Sequence, residues 1–347
     1  MGKYLFMPLM LQVLAGLLLT SAASAQPPIA VAIHGGAGTI TKANLTAAQE
    51  QAYLEALNRA LDTAYEKLRD GAQGLDVVVD AIVLLEDSPL FNAGYGAVLT
   101  HEGAHELDAA IMDGATLQAG AVAGVRYIKN PIQAARAVML HSPHVMLAGR
   151  GADAFAAIQG LELVDNNYFT TPRREADLRR FLESEAAQTR PAVDTKFGTV
   201  GVVVLDSFGN LAAGTSTGGM TGKRWGRIGD SPLIGAGTYA NNASCAVSAT
   251  GHGEYFIRYQ VASDICARVE YLQESVQRAA QYVIENVLPK VGGDGGVVAV
   301  DSSGNVANVF NTEGMYRASI DANGRRSVAI YRESMTQADE PADTGEH

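Results

Sequence analysis

Two stretches of this 347-residue chain repeat one another, and they restrict the fold more than any other feature. Gly201 to Met220 and Gly296 to Met315 align without gaps. Both hold a Val-Val pair, Asp-Ser-x-Gly-Asn and a closing Thr-x-Gly-Met. Each copy reads as two strands joined by a tight turn, with Gly209 and Gly304 where the turn requires a positive φ. A two-sided sheet arrangement built from such hairpins, with helices packed outside, suits this pattern.

The rest of the chain supplies the helices. Ala47 to Arg69 carries Tyr53, Leu54, Leu57, Leu61, Tyr65 and Leu68 at helical spacing and stops at Gly71. Val77 to Glu86 is a second, more buried helix, and others are expected at Pro131–Leu140, Gly151–Ile158, Glu254–Glu270 and Ser275–Val287. Ile29 to Ile33 is a short buried strand ending at His34-Gly35-Gly36-Ala37-Gly38, and Gly120–Val125 is another strand.

Residues 1–25 read as a removable export signal. Lys3 supplies the positive start, Leu5 to Leu19 is almost wholly apolar, and Ala23-Ser24-Ala25 fits the cleavage site. No second long apolar run follows, so the mature protein is expected to be periplasmic or secreted, soluble and off the membrane. A formal net charge of -11 argues against nucleic acid, which is bound through clustered Lys and Arg. Cys245 and Cys266 leave two readings open, one disulfide after export or two buried thiols. From about 168 to 197 the composition turns polar around a short charged helical segment, and reads as a linker leading to Gly198-Thr199. The tail from Glu333 to His347 is polar and acidic.

Chemistry points first to Gly198-Thr199. Thr199 opens the apolar run Val200 to Leu205 with a glycine directly before it. If that bond breaks, Thr199 gains a free α-amine beside its own hydroxyl, placing base and nucleophile in one residue. Such an amine titrates near ~8, so about a tenth of it is neutral at pH 7. Glycine before the threonine also permits the strained backbone that self-attack requires.

Three other motifs compete. His101-Glu102-Gly103-Ala104-His105 is a literal H-E-x-x-H, but Gly103 interrupts the helix that zinc ligation needs, and a polar hairpin turn fits better. Gly214-Thr215-Ser216-Thr217-Gly218 is a literal G-x-S-x-G, yet no helix follows Ser216 and His252 comes too soon for the usual esterase order. Gly235-Ala236-Gly237-Thr238-Tyr239-Ala240 formally matches a dinucleotide fingerprint without a helix opening after it. Arg227 and Asp230, three residues apart, could together hold the zwitterionic head of an amino acid. An exported amino-acid-binding protein could use them without turnover.

Taken together, the chain resembles the plant-type (type III) asparaginase/isoaspartyl peptidase family of N-terminal-nucleophile hydrolases. The resemblance rests on His34–Gly38, Phe91–Gly96, Leu107–Gly114, Gly198–Gly201, Thr215–Gly219, Gly226–Pro232 and Thr250–Glu254. It implies an α/β fold, the αββα four-layer sandwich, with self-cleavage between Gly198 and Thr199. The products would be an α subunit, 26–198, and a β subunit, 199–347, assembled as a dimer of heterodimers. Thr199 matches the nucleophile, and Asn92 and Thr217 match residues that hold it in place. Arg227 matches the substrate-carboxylate clamp, Asp230 and the Gly253 carbonyl the amine contacts, and Thr250 with the Gly251 amide the oxyanion hole.

The resemblance implies no catalytic cofactor. It does imply a structural sodium on the main-chain carbonyls of Leu85, Glu86, Ser88, Phe91, Ala93 and Tyr95. The expected activity is hydrolysis of β-aspartyl amides, isoaspartyl dipeptides and L-asparagine, with release of L-aspartate. The N4-(β-N-acetylglucosaminyl)-L-asparaginase branch is the alternative, but it usually carries asparagine after the threonine that Thr217-Gly218 matches. His252 stands where many members have threonine, and it bears on the leaving group.

Overall fold

Alternating apolar side chains on strands buried from both sides decide the architecture. The computed structural model describes residue 2, residues 27–187 and residues 198–332. The expected signal and acidic tail, and the part of the linker from 188 to 197, lie outside the described residues. One sheet holds eight strands: β1 (Ala30–Gly38), β2 (Leu107–Asp113), β3 (Ala119–Val125), β4 (Met146–Ala148), β5 (Val200–Leu205), β6 (Leu211–Thr217), β11 (Gly314–Ile320) and β12 (Arg326–Tyr331). Their order is β12-β11-β1-β5-β6-β2-β3-β4. The second holds β7 (Thr238–Ala240), β8 (Cys245–Gly251), β9 (Gly295–Asp301) and β10 (Val306–Phe310), in the order β10-β9-β8-β7.

The large sheet is covered outside by helices α1 (Ala47–Arg69), α2 (Gly74–Glu86) and α3 (Pro131–His141), with α4 (Gly149–Ile158) beside β3. Thr46 caps α1 reciprocally with Gln49. After α5 (Pro172–Ala186) and α6 (Gly253–Tyr259), helices α7 (Val261–Leu272) and α8 (Val276–Gln281) cover the small sheet. The sheets face each other through β1, β5 and β6 against β8 and β9. These are the four layers of an αββα sandwich.

Side chains partition by parity. Val200, Val202 and Val204 join the core beneath α1–α3, whereas Val203 and Leu205 join the layer between the sheets. On the other side Val297 and Ala299 face α7 and α8, and Val298 and Val300 face inward. Period-2 alternation with both faces buried is why these strands read as unbroken apolar runs. Each repeat copy is a hairpin as expected, with φ of 79° at Gly209 and 76° at Gly304. One copy lies in each sheet, apart from the closing Gly314-Met315, which begins β11 of the large sheet.

Four expectations change. The first strand does not end at His34 but runs on through Gly38, with an irregularity between His34 and Ala37. The single helix expected over Glu254–Glu270 is two, broken at Gln260, whose φ is 48°. The helix ending at Val287 continues past α8 as a π turn, Tyr282–Val287, and a 3-10 turn, Leu288–Val291. The first part of the supposed linker is ordered as α5. There Arg174 Nε donates to the Gly96 carbonyl at 2.6 Å, and Leu178 is buried. Of the two readings for the cysteines, the disulfide is present, joining β8 to α7. No helix among the described residues is long and apolar enough to cross a membrane.

Candidate active site

Thr199 sits where β5 begins, 7% exposed, with the chain continuous through Gly198. Its Oγ1 donates to Thr217 Oγ1 at 2.9 Å, and that oxygen also accepts the Gly219 N–H at 3.0 Å. Thr217 is placed by β6, which pairs with β5 so that Val200 lies opposite Ser216. The Thr199 hydroxyl proton is thus spent on Thr217.

All of the polar groups of Asn92 are engaged, one of them on the Gly198 peptide. Its N–H donates to the Gly198 carbonyl at 2.9 Å, and its own carbonyl accepts from Gly218 N. The side chain donates to Gly219 O at 2.7 Å and accepts from Val98 N at 2.9 Å. A Cβ on Gly198 would lie 2.6 Å from Asn92 Cβ. Close approach to Asn92 is therefore what the missing Cβ of this glycine allows.

A buried polar chain fixes the other side of the nucleophile. His34 Nδ1 lies 3.1 Å from the Thr199 carbonyl and Nε2 lies 2.9 Å from Ser248 Oγ. Ser248 meets Thr215 Oγ1 at 2.7 Å, which meets Thr238 Oγ1 at 2.6 Å. Burial lowers the His34 pKa to about 3, so the ring is neutral, donating from Nδ1 to the carbonyl and accepting at Nε2. Sequence reading took His34 only as part of a motif. Ser248 was not singled out, and a lone serine in a strand carries no signal.

Strand parity puts Thr250 on the face of β8 that looks toward β5. A Cβ on Gly201 would lie within 2 Å of Ser248 Oγ, so β5 at position 201 faces β8 at 248. Two residues along each strand, on those same faces, stand Thr199 and Thr250. Thr250 Oγ1 is buried without a hydrogen-bond partner among the described residues. An unspent buried hydroxyl calls for an explanation, and an oxyanion donor supplies one. Gly251 follows at the end of β8, its Cα packed against the Asp294 carbonyl.

Arg227, Asp230 and Gly253 converge. A Cβ on Gly253 would lie 2.9 Å from Arg227 Nη2 and 3.0 Å from Asp230 Oδ1. Asp230 is buried with Oδ2 unpartnered among the described residues, and burial pushes its pKa up to about 7. Arg227 does not pair with Asp230. It holds Glu254 by two bonds of 3.0 Å, from Nε and Nη2. Glu254 was missed by sequence reading, although a carboxylate directly after a site glycine was its signal.

Of the six carbonyls expected on sodium, two already accept main-chain hydrogen bonds. The Leu85 carbonyl accepts from Asp87 and Ser88 N–H, and that of Glu86 from Tyr95 N–H at 2.6 Å. No hydrogen bond to the carbonyls of Ser88, Phe91, Ala93 or Tyr95 is found among the described residues. Main-chain oxygens without donors suit a hard monovalent cation. In the same region the Glu86 side chain is buried, its pKa raised by burial to about 8.

The competing motifs come apart. His101 contacts Glu185 and Arg224, while His105 is buried against Val98 O and Thr170 Oγ1, so the two rings share no site. Ser216 lies within β6 and donates to Glu86 Oε1 at 2.6 Å, with no histidine on it. Gly235 to Ala240 runs into a strand, not a helix.

Comparison with known proteins agrees with this geometry. The asparaginase family model matches residues 27–330. An isoaspartyl peptidase of Salmonella typhimurium is 52% identical over 311 residues, covering 87% of this chain and 98% of the relative. The isoaspartyl peptidase/L-asparaginase of Mus musculus is 39% identical over 308 residues, covering 89% and 92%. A probable isoaspartyl peptidase/L-asparaginase 2 of Arabidopsis thaliana is 42% identical over 325 residues, covering 87% and 98%. With the match spanning nearly all described residues, the chain belongs to the asparaginase family.

Proposed function

We propose that this protein is a self-cleaving hydrolase of β-aspartyl amide bonds that uses Thr199 as its N-terminal nucleophile. The observation that carries the reading is the Gly198 carbonyl, held by the Asn92 N–H beside a Thr199 hydroxyl that donates to Thr217. In the first reaction Thr199 Oγ adds to the Gly198 carbonyl carbon and the C–N bond breaks. The acyl group passes from nitrogen to oxygen, and water hydrolyses the ester. Residues 26–198 and 199–347 become two subunits, which pair into a dimer of heterodimers after removal of the export signal in the periplasm or outside the cell.

In turnover the freed amine accepts the Oγ proton as Oγ attacks the side-chain carbonyl of the substrate. Thr250 Oγ and the Gly251 N–H take the developing oxyanion, worth about 10²–10³ in rate per donor. Arg227 holds the α-carboxylate, and Asp230 with the Gly253 carbonyl holds the α-ammonium. The amine returns its proton to the departing ammonia or peptide, and water then frees aspartate. Names of relatives at 52% identity support isoaspartyl dipeptides as substrates. No step draws on a cofactor; the 85–95 loop would hold sodium only as structure.

The test is denaturing electrophoresis with N-terminal sequencing and an aspartate-release assay on an isoaspartyl dipeptide. Two bands are expected, one beginning at Thr199. Thr199→Ala should stay whole and inactive, and Thr199→Ser should process slowly. An active preparation that remains a single intact chain would refute the proposal.

A further inference from the structure

A guanidinium carries five N–H donors along two bidentate edges, and Glu254 occupies only one of them on Arg227. Glu254 Oε1 and Oε2 each accept at 3.0 Å, from Nε and Nη2. Arg227 makes no other side-chain hydrogen bond among the described residues, so Nη1 and the second Nη2 proton are unspent. Nη2 is also the atom that approaches Gly253 and, through it, Asp230 Oδ1. The unspent edge thus borders the place where the α-ammonium is to be held.

Glu254 is itself braced. His252 Nε2 lies 3.4 Å from Glu254 Oε2 and its Nδ1 lies 3.9 Å from Asp294 Oδ1, with the ring edge-on to Tyr255. Asp294, His252, Glu254 and Arg227 form one row across the rim of the site. The Arg227 side chain is 18% exposed, so rotation of its long stem is restricted but not abolished by packing.

We infer that Glu254 is a positioning residue. It fixes the Nε–Nη2 edge of Arg227 so that the Nη1–Nη2 edge is presented to the α-carboxylate of a β-aspartyl substrate. The inference rests on the function proposed above. It predicts that Glu254 acts through substrate affinity and not through the bond-breaking step, because Arg227 touches the carboxylate and not the reacting carbonyl.

The experiment compares wild type, Glu254→Gln and Glu254→Asp. Each is assayed on an isoaspartyl dipeptide and on the same dipeptide with its α-carboxyl converted to a carboxamide. Gln keeps the length but offers one acceptor and one donor to two N–H groups. KM for the carboxylate substrate should rise on the order of tenfold with kcat held, and Asp should recover part of the loss. KM for the carboxamide analogue should not respond to the substitution. An unchanged KM overturns the inference, as does an equal rise for both substrates. A lowered KM overturns it too, since Glu254 would then be occupying the substrate's own place. Two-band processing and an unchanged melting temperature certify folding of each variant. If wild type hydrolyses neither substrate, the function proposal fails. L-aspartate titration read by Trp225, the single tryptophan of the chain, then still tests Glu254 by its dissociation constant.

Discussion

Replacing Gly198 with alanine should stop self-cleavage while leaving the fold intact. The added Cβ would stand 2.6 Å from Asn92 Cβ and 3.1 Å from Asn92 N. Carbon atoms pack at about 3.5–4.0 Å, so the 198 peptide must move by roughly 1 Å. That shift is imposed on the peptide whose carbonyl is to be attacked, and on its 2.9 Å bond from Asn92 N–H. A misplacement of about 1 Å costs on the order of 10² in rate, and loss of one oxyanion donor costs about 10²–10³. Because both arise from one displacement, we expect a total of about 10²–10³, which is ~3–4 kcal/mol in the barrier. The assay is a time course of freshly purified precursor on denaturing gels, with thermal melting alongside. Wild-type processing by Gly198→Ala with an unchanged melt would refute the reasoning. Wild-type processing would mean that the contact with Asn92 does not position the scissile carbonyl.

Two further outcomes follow from buried carboxyls. Asp230 must be ionised to hold an ammonium, and burial raises its pKa to about 7. kcat/KM should therefore climb about a hundredfold per unit below that pH, where Asp230 and the Thr199 amine near ~8 must both lose a proton, and only about tenfold per unit in Asp230→Asn. An identical acid limb in the Asn variant would defeat the assignment. Glu86 is raised from 4.5 to about 8, so its contribution to stability is intact below the unfolded value and lost as pH rises through about 8. Glu86→Gln removes that loss, on the order of 5 kcal/mol, and should be more stable than wild type at pH 9 but not at pH 5 by denaturant titration. Parallel pH slopes for both proteins would contradict it.

The hairpins were legible because their signal is local: a glycine turn between apolar runs. Helix α1 was legible because spacing and the Gly71 stop agree. The break at Gln260 was not, since residues on both sides favour helix and the left-handed turn there is set by packing. Gln260 Oε1 and Ser263 lie against the Gly235 backbone. For α5 the short charged helical segment was legible but its anchoring was not. Its composition is polar, and what orders it is Arg174 on Gly96 and Glu185 on Arg224, both distant in sequence. In the site, Thr199, Asn92 and Thr217 were placed by motif. His34, Ser248 and Thr215 meet only because two sheets stack face to face, and no pattern along the chain records that contact.

On the function proposed above, that stacking would let the same residues carry two reactions in order. Thr199 Oγ attacks from one position, so the carbonyl carbon of Gly198 in the uncut chain and that of a later substrate must occupy nearly one point. Gly198 fills that point against Asn92, and Thr199 is correspondingly only 7% exposed. Under the proposed self-cleavage, the protein's own peptide would hold that place until the cut withdrew it. His34 and Thr217 are held by strands on either side of β5, not by the peptide that leaves. They can therefore keep Thr199 in register when its amine becomes a chain end. An enzyme built this way needs its sheets fully packed before the first bond breaks, because the precursor and the mature site share one set of supports.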